Sequence, residues 1–563
     1  MIKALNYFLY ILFSFILIFL FFINFFDYNQ NIDFISIISN TENKDEKLKE
    51  LFTINKLNNL NYILLIYLFI IILILIYKRI IFFYFQSFYE ILLLNIKTFF
   101  NLQKKFYYIF ILILLPSTFL KFFFIFYMPG TYDEIFTTIN FTSKGFFTSI
   151  AYYPAPNNHV FFSIIASLFN YLPFDNLLIN RFLNIIISLF FLLILFISIF
   201  KTFNLRAAII LCFFTSSLYP VISYGYLSRG YGLIILFSYI SFYLTYKIYL
   251  SSNNKKNIYL AVISFMGFCG IATNPSYLYF FLIIYFSLFI IFLIKNEYKN
   301  IFELFLHSLL IAIVLLIFYS PILFLSGFDS IFGNRFVDSN ETIELFEFIY
   351  FYFITLPDYL FVNHIIFYIC ISSFIFLSLF KIIYLKHYLL FLITFIFPFI
   401  IIIIHNILPP ERIFVFMIPS FIFLIALNFS KIKFTILNNI LSLLFILLTL
   451  FSFYDSFLRA EQHHSIGKVG NIASKYILNT NVKSIYLKHG LLDAFLIYYG
   501  NNKLNINYSY ENYESIQNKN NYDLVVLDYK KTFQQLDHKK TFIMDINRTN
   551  YNIYVYKNNN YEE

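Results

Sequence analysis

Apolar runs close to the length of a bilayer crossing recur along most of this chain. They lie at 5–26, 61–77, 106–127, 176–200, 207–222, 230–250, 258–272, 276–294, 304–323, 359–379, 388–405, 413–429 and 434–453. A helix of about 20 apolar residues spans the hydrocarbon of a membrane, so the pattern gives about thirteen spans. Hydrophobic residues make up 60% of the 563 and charged residues 12%, against the roughly 25% charged residues of an ordinary soluble chain. A soluble enzyme, a nucleic-acid-binding protein and a disordered scaffold are excluded as readings of the whole chain. The formal charge of +10 argues for no nucleic-acid partner, because much of it lies between the apolar runs. The fold class is mainly α: a polytopic transmembrane helix bundle whose partner is the lipid bilayer.

Pro275 divides the long apolar stretch 258–294 into two spans. Lys and Arg orient the bundle. With the N-terminus inside, the cytoplasmic segments hold Lys78, Arg79, Lys97, Lys104, Lys105, Lys201, Arg206, Lys255, Lys256, Lys295, Lys299, Lys381, Lys386, Lys431 and Lys433, while the opposite loops near the membrane are much poorer in Lys, apart from the mixed-charge stretch Thr41–Lys56. The positive-inside rule therefore expects a cytoplasmic N-terminus, and an odd number of spans puts the segment after Phe453 outside. The expected location is the plasma (inner) membrane. The first apolar run is longer than the core of a signal peptide and no small-residue cleavage site follows it, so it reads as a retained helix. Residues 1–105 read as an accessory transmembrane hairpin with a basic cytoplasmic connector, 106–453 as the main membrane domain, and 454–563 as an extracytoplasmic α/β domain.

That last segment is polar. Short apolar runs alternate in it with Asn- and Lys-rich turns, at Ser484–Leu487, Tyr522–Leu527, Thr541–Met544 and Asn552–Tyr556, with a helix expected over Leu491–Tyr499. It carries no glycine-rich phosphate loop and receives no chemistry. Cys212, Cys269 and Cys370 all lie in apolar stretches, which leaves no visible disulfide framework or Cys-based metal site.

Two residue types are distributed unevenly across this topology. Pro129, Pro154, Pro156, Pro173, Pro220, Pro275, Pro321, Pro357, Pro409 and Pro410 fall at the outer ends of spans or in outer loops, and only Pro116, Pro398 and Pro419 lie inside spans. Non-helical backbone thus concentrates on one side, as expected where loops shape a cavity. Only 8 of the 40 Lys and Arg residues are Arg, yet Arg181, Arg229, Arg335 and Arg412 sit at the outer boundary, where basic residues are disfavoured. A guanidinium binds phosphate through two parallel hydrogen bonds, which an ammonium cannot copy. Four together point to an anionic ligand, with snorkelling or structural ion pairs such as Arg412 with Glu411 as the other account.

The richest segment is the outer loop after 106–127. It holds Asp133 and Glu134, then Tyr152–His159 with Pro154, Pro156, Asn157, Asn158 and His159. A carboxylate at the end of an apolar helix, beside apolar surface, suits general-base work on a hydroxyl. Asp133 and Glu134 serve equally well as caps for a helix beginning at Ile135. His159, with Asn157 and Asn158, is placed to position a ligand or to help bind a metal, and is equally readable as a structural loop histidine.

An acidic pair directly after an apolar helix that carries Lys121 resembles the outer loop of GT-C-fold glycosyltransferases that use polyprenyl-phosphate sugars. Among these, protein O-mannosyltransferases, lipid A aminoarabinose transferases and rhizobial lipopolysaccharide glycosyltransferases are the nearest in pattern. Further matching pieces are Leu178–Asn184 around Arg181, Ser228–Tyr231 around Arg229, Tyr319–Pro321 with Gly327, and Pro410–Arg412 followed by Pro419, together covering 106–430. The resemblance implies a GT-C catalytic domain over 106–453, a lipid-phosphate sugar donor, and a glycan, lipid or protein acceptor of the cell envelope. It implies catalytic roles for Asp133 and Glu134, with Asp133 the base in an inverting transfer. Substrate contacts are implied for Asn158, His159, Arg181, Arg229, Tyr231, Tyr319, Arg335 and Arg412. No cofactor is certain; a divalent cation held by Asp133, Glu134 and His159 is the one the resemblance leaves room for.

The chain also departs from these families. Pro154, Ala155 and Pro156 stand where the aminoarabinose transferases have a Pro-Pro pair, and the absence of Trp excludes the Trp-Trp-Asp motif of oligosaccharyltransferases. The competing class is a transporter or flippase for a lipid-linked anion. Such a protein would carry polar residues near the midplane and an internal repeat, neither of which is visible. A receptor or assembly subunit with a partner-binding tail is a third option.

Overall fold

The computed structural model describes residues 2–39, 104–250, 256–332, 344–365, 389–431 and 435–479, apart from 155 and 328. It also describes the tail segments 484–488, 492–500, 507–509, 523–527, 536–546 and 549–558, and scattered positions within 53–89 and 367–372. Among the described residues seven helices are long and apolar enough to cross a membrane: Phe106–Tyr127, Asn176–Thr202, Tyr231–Leu250, Lys256–Thr273, Pro275–Ile294, Tyr298–Leu325 and Asn439–Leu478. The count of about thirteen expected from the sequence is not reproduced. The 61–77 run and the later part of 359–379 are described only in part. The 207–222 run is two helices, Leu205–Ser217 and Tyr219–Ser223, because Leu218 is extended and Pro220 cannot continue the hydrogen-bond ladder. The 413–429 run opens as a 3-10 helix, Glu411–Phe416, before Met417–Lys431.

The inner helices are apolar almost all round, as buried helices are. Tyr231–Leu250 packs against both Asn176–Thr202 and Lys256–Thr273, and Leu205–Ser217 lies between Asn176–Thr202 and Thr435–His463. Phe196, Leu211, Phe214, Tyr239, Phe242, Ile263, Ile284 and Phe423 make up part of one continuous core. The peripheral helix Tyr298–Leu325 instead exposes Phe302, Phe305, Leu309, Leu310 and Leu316, a face that only a lipid environment or another apolar surface accommodates. Near the N-terminus, Ile16 and Leu20 pack on Leu64, Leu68 and Ile71, and the Tyr67 hydroxyl donates to the Ile317 carbonyl at 3.0 Å.

The helix expected to end at 453 runs on to His463, with Asp455 and Arg459 paired one turn apart at 2.8 Å. A second helix, Ser465–Leu478, follows after His464. The rest of the tail is a five-stranded sheet in the order Asn507–Ser509, Ser484–Lys488, Leu524–Leu527, Thr549–Asn558, Leu536–Ile546. The first three strands are parallel, for example Ile485 opposite Leu524. The last two are antiparallel additions, for example Val526 opposite Val555. Helix Leu492–Gly500 covers one face.

The core of this sheet does not close on itself. Ile477, Ile485, Phe495, Leu496 and Val526 share one apolar cluster with Ile135 and Leu177, and these two belong to the acidic-loop helix and to the start of Asn176–Thr202. The tail therefore buries its own apolar surface on the segment that carries Asp133 and Glu134.

Candidate functional site

Thr131 starts a short helix, Tyr132–Asn140, with a full capping box: its hydroxyl accepts from the Glu134 N–H, and its own N–H donates to Glu134 Oε2 at 2.9 Å. The helix begins three residues before the Ile135 expected from the sequence. Both acids lie in its first turn, and successive helical positions point about 100° apart. One side chain therefore turns inward and the other outward.

Glu134 is the inward one and is fully buried. Its carboxylate takes bonds from Arg181 Nε at 2.8 Å and Nη2 at 2.7 Å, the Ser228 N–H at 2.9 Å, the Thr131 N–H, and the Thr131 hydroxyl at 3.2 Å. Burial works to raise the Glu134 carboxyl, but the Arg181 charge and these donors outweigh it and hold it well below the usual carboxylate range. Arg181 is spent in the same way. Beyond Glu134 it donates to the carbonyls of Ile125 at 3.2 Å, Met128 at 2.9 Å and Pro129 at 3.2 Å. These lie around the end of helix Lys104–Tyr127, where carbonyls lack helical partners. Glu134, expected to be catalytic, and Arg181, expected to contact a ligand, thus lie together as a buried ion pair in which each carboxylate oxygen and guanidinium N–H has a partner within the protein.

Asp133 turns the other way. Its side chain is 40% exposed, and Oδ2 lies 3.0 Å from Arg229 Nη1, whose own side chain is only 5% exposed. Arg229 also donates to Asn157 Oδ1, and its guanidinium stands 5.9 Å from the centre of the Tyr231 ring. Its Nε is buried and has no hydrogen-bond partner among the described residues. Asn184 holds the backbone here by donating to the carbonyls of Leu227 and Arg229. Gly230 is required because a Cβ would collide with Thr273 and His159. Arg412 joins the group by donating from Nε to the Tyr231 hydroxyl at 3.1 Å, and lies within electrostatic reach of Asp133. The alternative pairing of Arg412 with Glu411 is not made among the described ion pairs.

His159 sits edge-on to Tyr231, with ring centres 4.7 Å apart and both ring nitrogens buried and unpartnered. Burial, with the nearby Arg229 and Arg412 charges, pushes its pKa far down and keeps it neutral. The metal set expected from Asp133, Glu134 and His159 is divided: Glu134 is occupied by Arg181, and His159 lies beside two guanidinium groups that repel a cation. Among the described residues no three His, Cys, Asp or Glu side chains gather to hold a metal ion.

Asn158 and Tyr319, also expected to contact a ligand, bond within the protein. Asn158 binds the carbonyls of Ser149 and Tyr152 and accepts from the Ser163 hydroxyl, so it fixes the loop while its neighbour Asn157 faces Arg229. The buried Tyr319 hydroxyl donates to the Ile271 carbonyl at 2.6 Å and ties two spanning helices together. Arg335 lies outside the described residues.

Sequence reasoning missed the tail's share. His464 Nδ1 bonds the Pro129 carbonyl and its Nε2 the Tyr226 hydroxyl, both at 2.9 Å, and its ring stacks on Phe124. Gly467 passes so close to the Gly130 carbonyl that no side chain fits. Tyr498 donates to Asp175 Oδ2 at 2.7 Å, while Oδ1 of the same carboxylate caps Asn176–Thr202. His463, which is exposed, lies within electrostatic reach of Asp133 and Arg412. The adjacent histidines just beyond the last apolar run were the available signal.

No family model matches the sequence, and no curated protein matches it. Solved structures with some likeness to the chain include the crystal structure of the Archaeoglobus fulgidus oligosaccharyltransferase in complex with Zn and sulfate. It has TM-score 0.43 and 12% identity, and the match covers 75% of this chain and 68% of that one. Another is the archaeal oligosaccharyltransferase AglB from the same organism, in complex with an inhibitory peptide and a dolichol-phosphate. There the TM-score is 0.40 and the identity 11%, with 76% and 70% covered. Likeness at this level carries no argument about function.

Proposed function

We propose that the chain is a multi-pass membrane glycosyltransferase of the GT-C type, which transfers a sugar from a polyprenyl-phosphate donor to a cell-envelope acceptor on the outer side of the membrane. The observation that carries this reading is the pairing of a partly exposed carboxylate, Asp133, with a buried guanidinium, Arg229, that retains an unpartnered N–H. Such a site offers a proton acceptor and anion donors within a few ångströms. Asp133 takes the proton of an acceptor hydroxyl. The acceptor oxygen forms a bond to the anomeric carbon as the bond from that carbon to the phosphate oxygen breaks, and the phosphate leaves with the electron pair, inverting the centre. Charge that develops on the leaving phosphate meets Arg229 and Arg412, a stabilisation worth most in a water-poor site. Tyr231 holds Arg412 in place, and neutral His159 adds no charge to the cluster.

The test is release and transfer of radiolabelled sugar from polyprenyl-phosphate sugars by the purified protein in liposomes, wild type against Asp133→Asn. Turnover that disappears in the variant supports the reading. Donor binding without turnover, unchanged in the variant, overturns it in favour of a carrier of lipid-linked anions.

A further inference from the structure

The base in this site is not free. Asp133 Oδ2 is 3.0 Å from Arg229 Nη1, so this oxygen already faces a guanidinium N–H and is not turned to an acceptor hydroxyl. The same guanidinium is the best-placed anion donor in the site. Arg229 is held rigidly, since Asn184 fixes its backbone carbonyl, Asn157 occupies part of Nη1, and Tyr231 stands beside its plane. Its buried Nε has no partner, and a buried donor left unmade costs free energy that an incoming acceptor recovers. Asp133 by contrast is 40% exposed on the first turn of a short helix, and among the described residues its side chain makes no other ion pair. Of the two partners, the carboxylate is the one that can move away.

We propose that the phosphate of the donor itself displaces Asp133 from Arg229, so that the base is released only when the anion is in place. This deepens the glycosyltransferase reading and rests on it. The Asp133–Arg229 pair acts as a placeholder: it neutralises a buried cation in the empty site and makes phosphate a requirement for activity rather than only an affinity determinant. An uncharged lipid-linked sugar would leave the pair closed and would not be used, whatever its fit elsewhere. Glu134 cannot take over the placeholder role, because both of its oxygens are committed to Arg181, Thr131 and Ser228.

Competition has a signature that a shared ligand site lacks: removing the carboxylate charge tightens phosphate binding instead of weakening it. The experiment uses the full-length protein in detergent with EDTA, farnesyl phosphate as probe and farnesol as the uncharged control, followed by titration calorimetry. Asp133→Asn is expected to bind farnesyl phosphate about three- to tenfold more tightly than wild type, since one partner of the pair is buried and the other is not. Farnesol binding stays unchanged. In an Arg229→Gln background the Asp133→Asn change is expected to have no effect, which separates competition at Arg229 from a general change in local charge. Equal or weaker binding in Asp133→Asn, with wild type still preferring farnesyl phosphate over farnesol, overturns the displacement while leaving the anion site intact. A wild type that does not distinguish the two probes overturns the anion site and the functional reading with it. If Asp133→Asn is poorly folded, Asp133→Ser carries the same expectation.

Discussion

Adjacent carboxylates in this protein are expected to fail in opposite ways, and the contrast can be worked from their surroundings. Glu134→Gln keeps the side-chain volume but removes the charge, and puts an NH2 where one oxygen now accepts. Either orientation of the amide loses at least two of the five bonds now made to Glu134, including one from Arg181. It also leaves the Arg181 guanidinium, 3% exposed, without its counter-charge. Breaking a buried pair from one side costs about 3–5 kcal/mol. Asp133→Asn removes a charge that is 40% exposed, and although its partner Arg229 is buried, the amide oxygen and Asn157 Oδ1 still accept from that guanidinium, so the cost should be smaller, about 1–2 kcal/mol. Unfolding of each variant in mixed SDS micelles, followed by circular dichroism, should place Glu134→Gln well below wild type and Asp133→Asn closer to it. Sugar transfer should be lost in the second without a comparable loss of stability. A Glu134→Gln protein within 1 kcal/mol of wild type, or an Asp133→Asn protein as destabilised as its neighbour, would refute the division of labour between the two acids.

Other expectations follow from the same contacts. The folded-state pKa of Glu134 is depressed below its ordinary value near 4.5; its stabilisation is therefore complete above that value and is lost as pH falls through the depressed one. The stability gap between wild type and Glu134→Gln should be constant above about pH 5 and shrink in acid, as unfolding curves across pH will check. Arg229→Lys keeps the charge but not the planar fork, so affinity for farnesyl phosphate should fall about tenfold or more. Gly467→Val forces a side chain into the Gly130 carbonyl, backbone that cannot turn aside, and should cost about 1–3 kcal/mol while moving the helix that carries Asp133. Tyr498→Phe removes one hydrogen bond to Asp175 in an exposed setting and should cost no more than about 1 kcal/mol in the same unfolding assay.

The membrane class and the segment that holds the acidic pair were legible in the chain because both rest on local quantities: the length of an apolar run, and proline and arginine near its ends. Tail strands were legible for the same reason, at Ser484–Lys488, Leu524–Leu527 and Thr549–Asn558. Which members of each candidate pair face the site was not legible. Asp133 and Glu134 are neighbours of like chemistry, as are Asn157 and Asn158. Their assignment depends on a guanidinium 47 residues away that claims Glu134, and on one 72 residues away that claims Asn157. The breaks within the 207–222 and 413–429 runs, at a proline and a 3-10 turn, were not legible, since hydropathy does not register a broken hydrogen-bond ladder.

By itself, then, the sequence determined the solvent of the protein and the segment in which its unusual residues gather, because apolar length and charge bias act residue by residue. Tertiary structure decided which carboxylate is buried and which faces solvent, which arginine is paired with each, and that the tail, through His464 and Gly467, braces the loop before Asp133. Those choices are made by contacts between residues up to 335 positions apart. A buried charge or N–H has no preferred partner until packing supplies one.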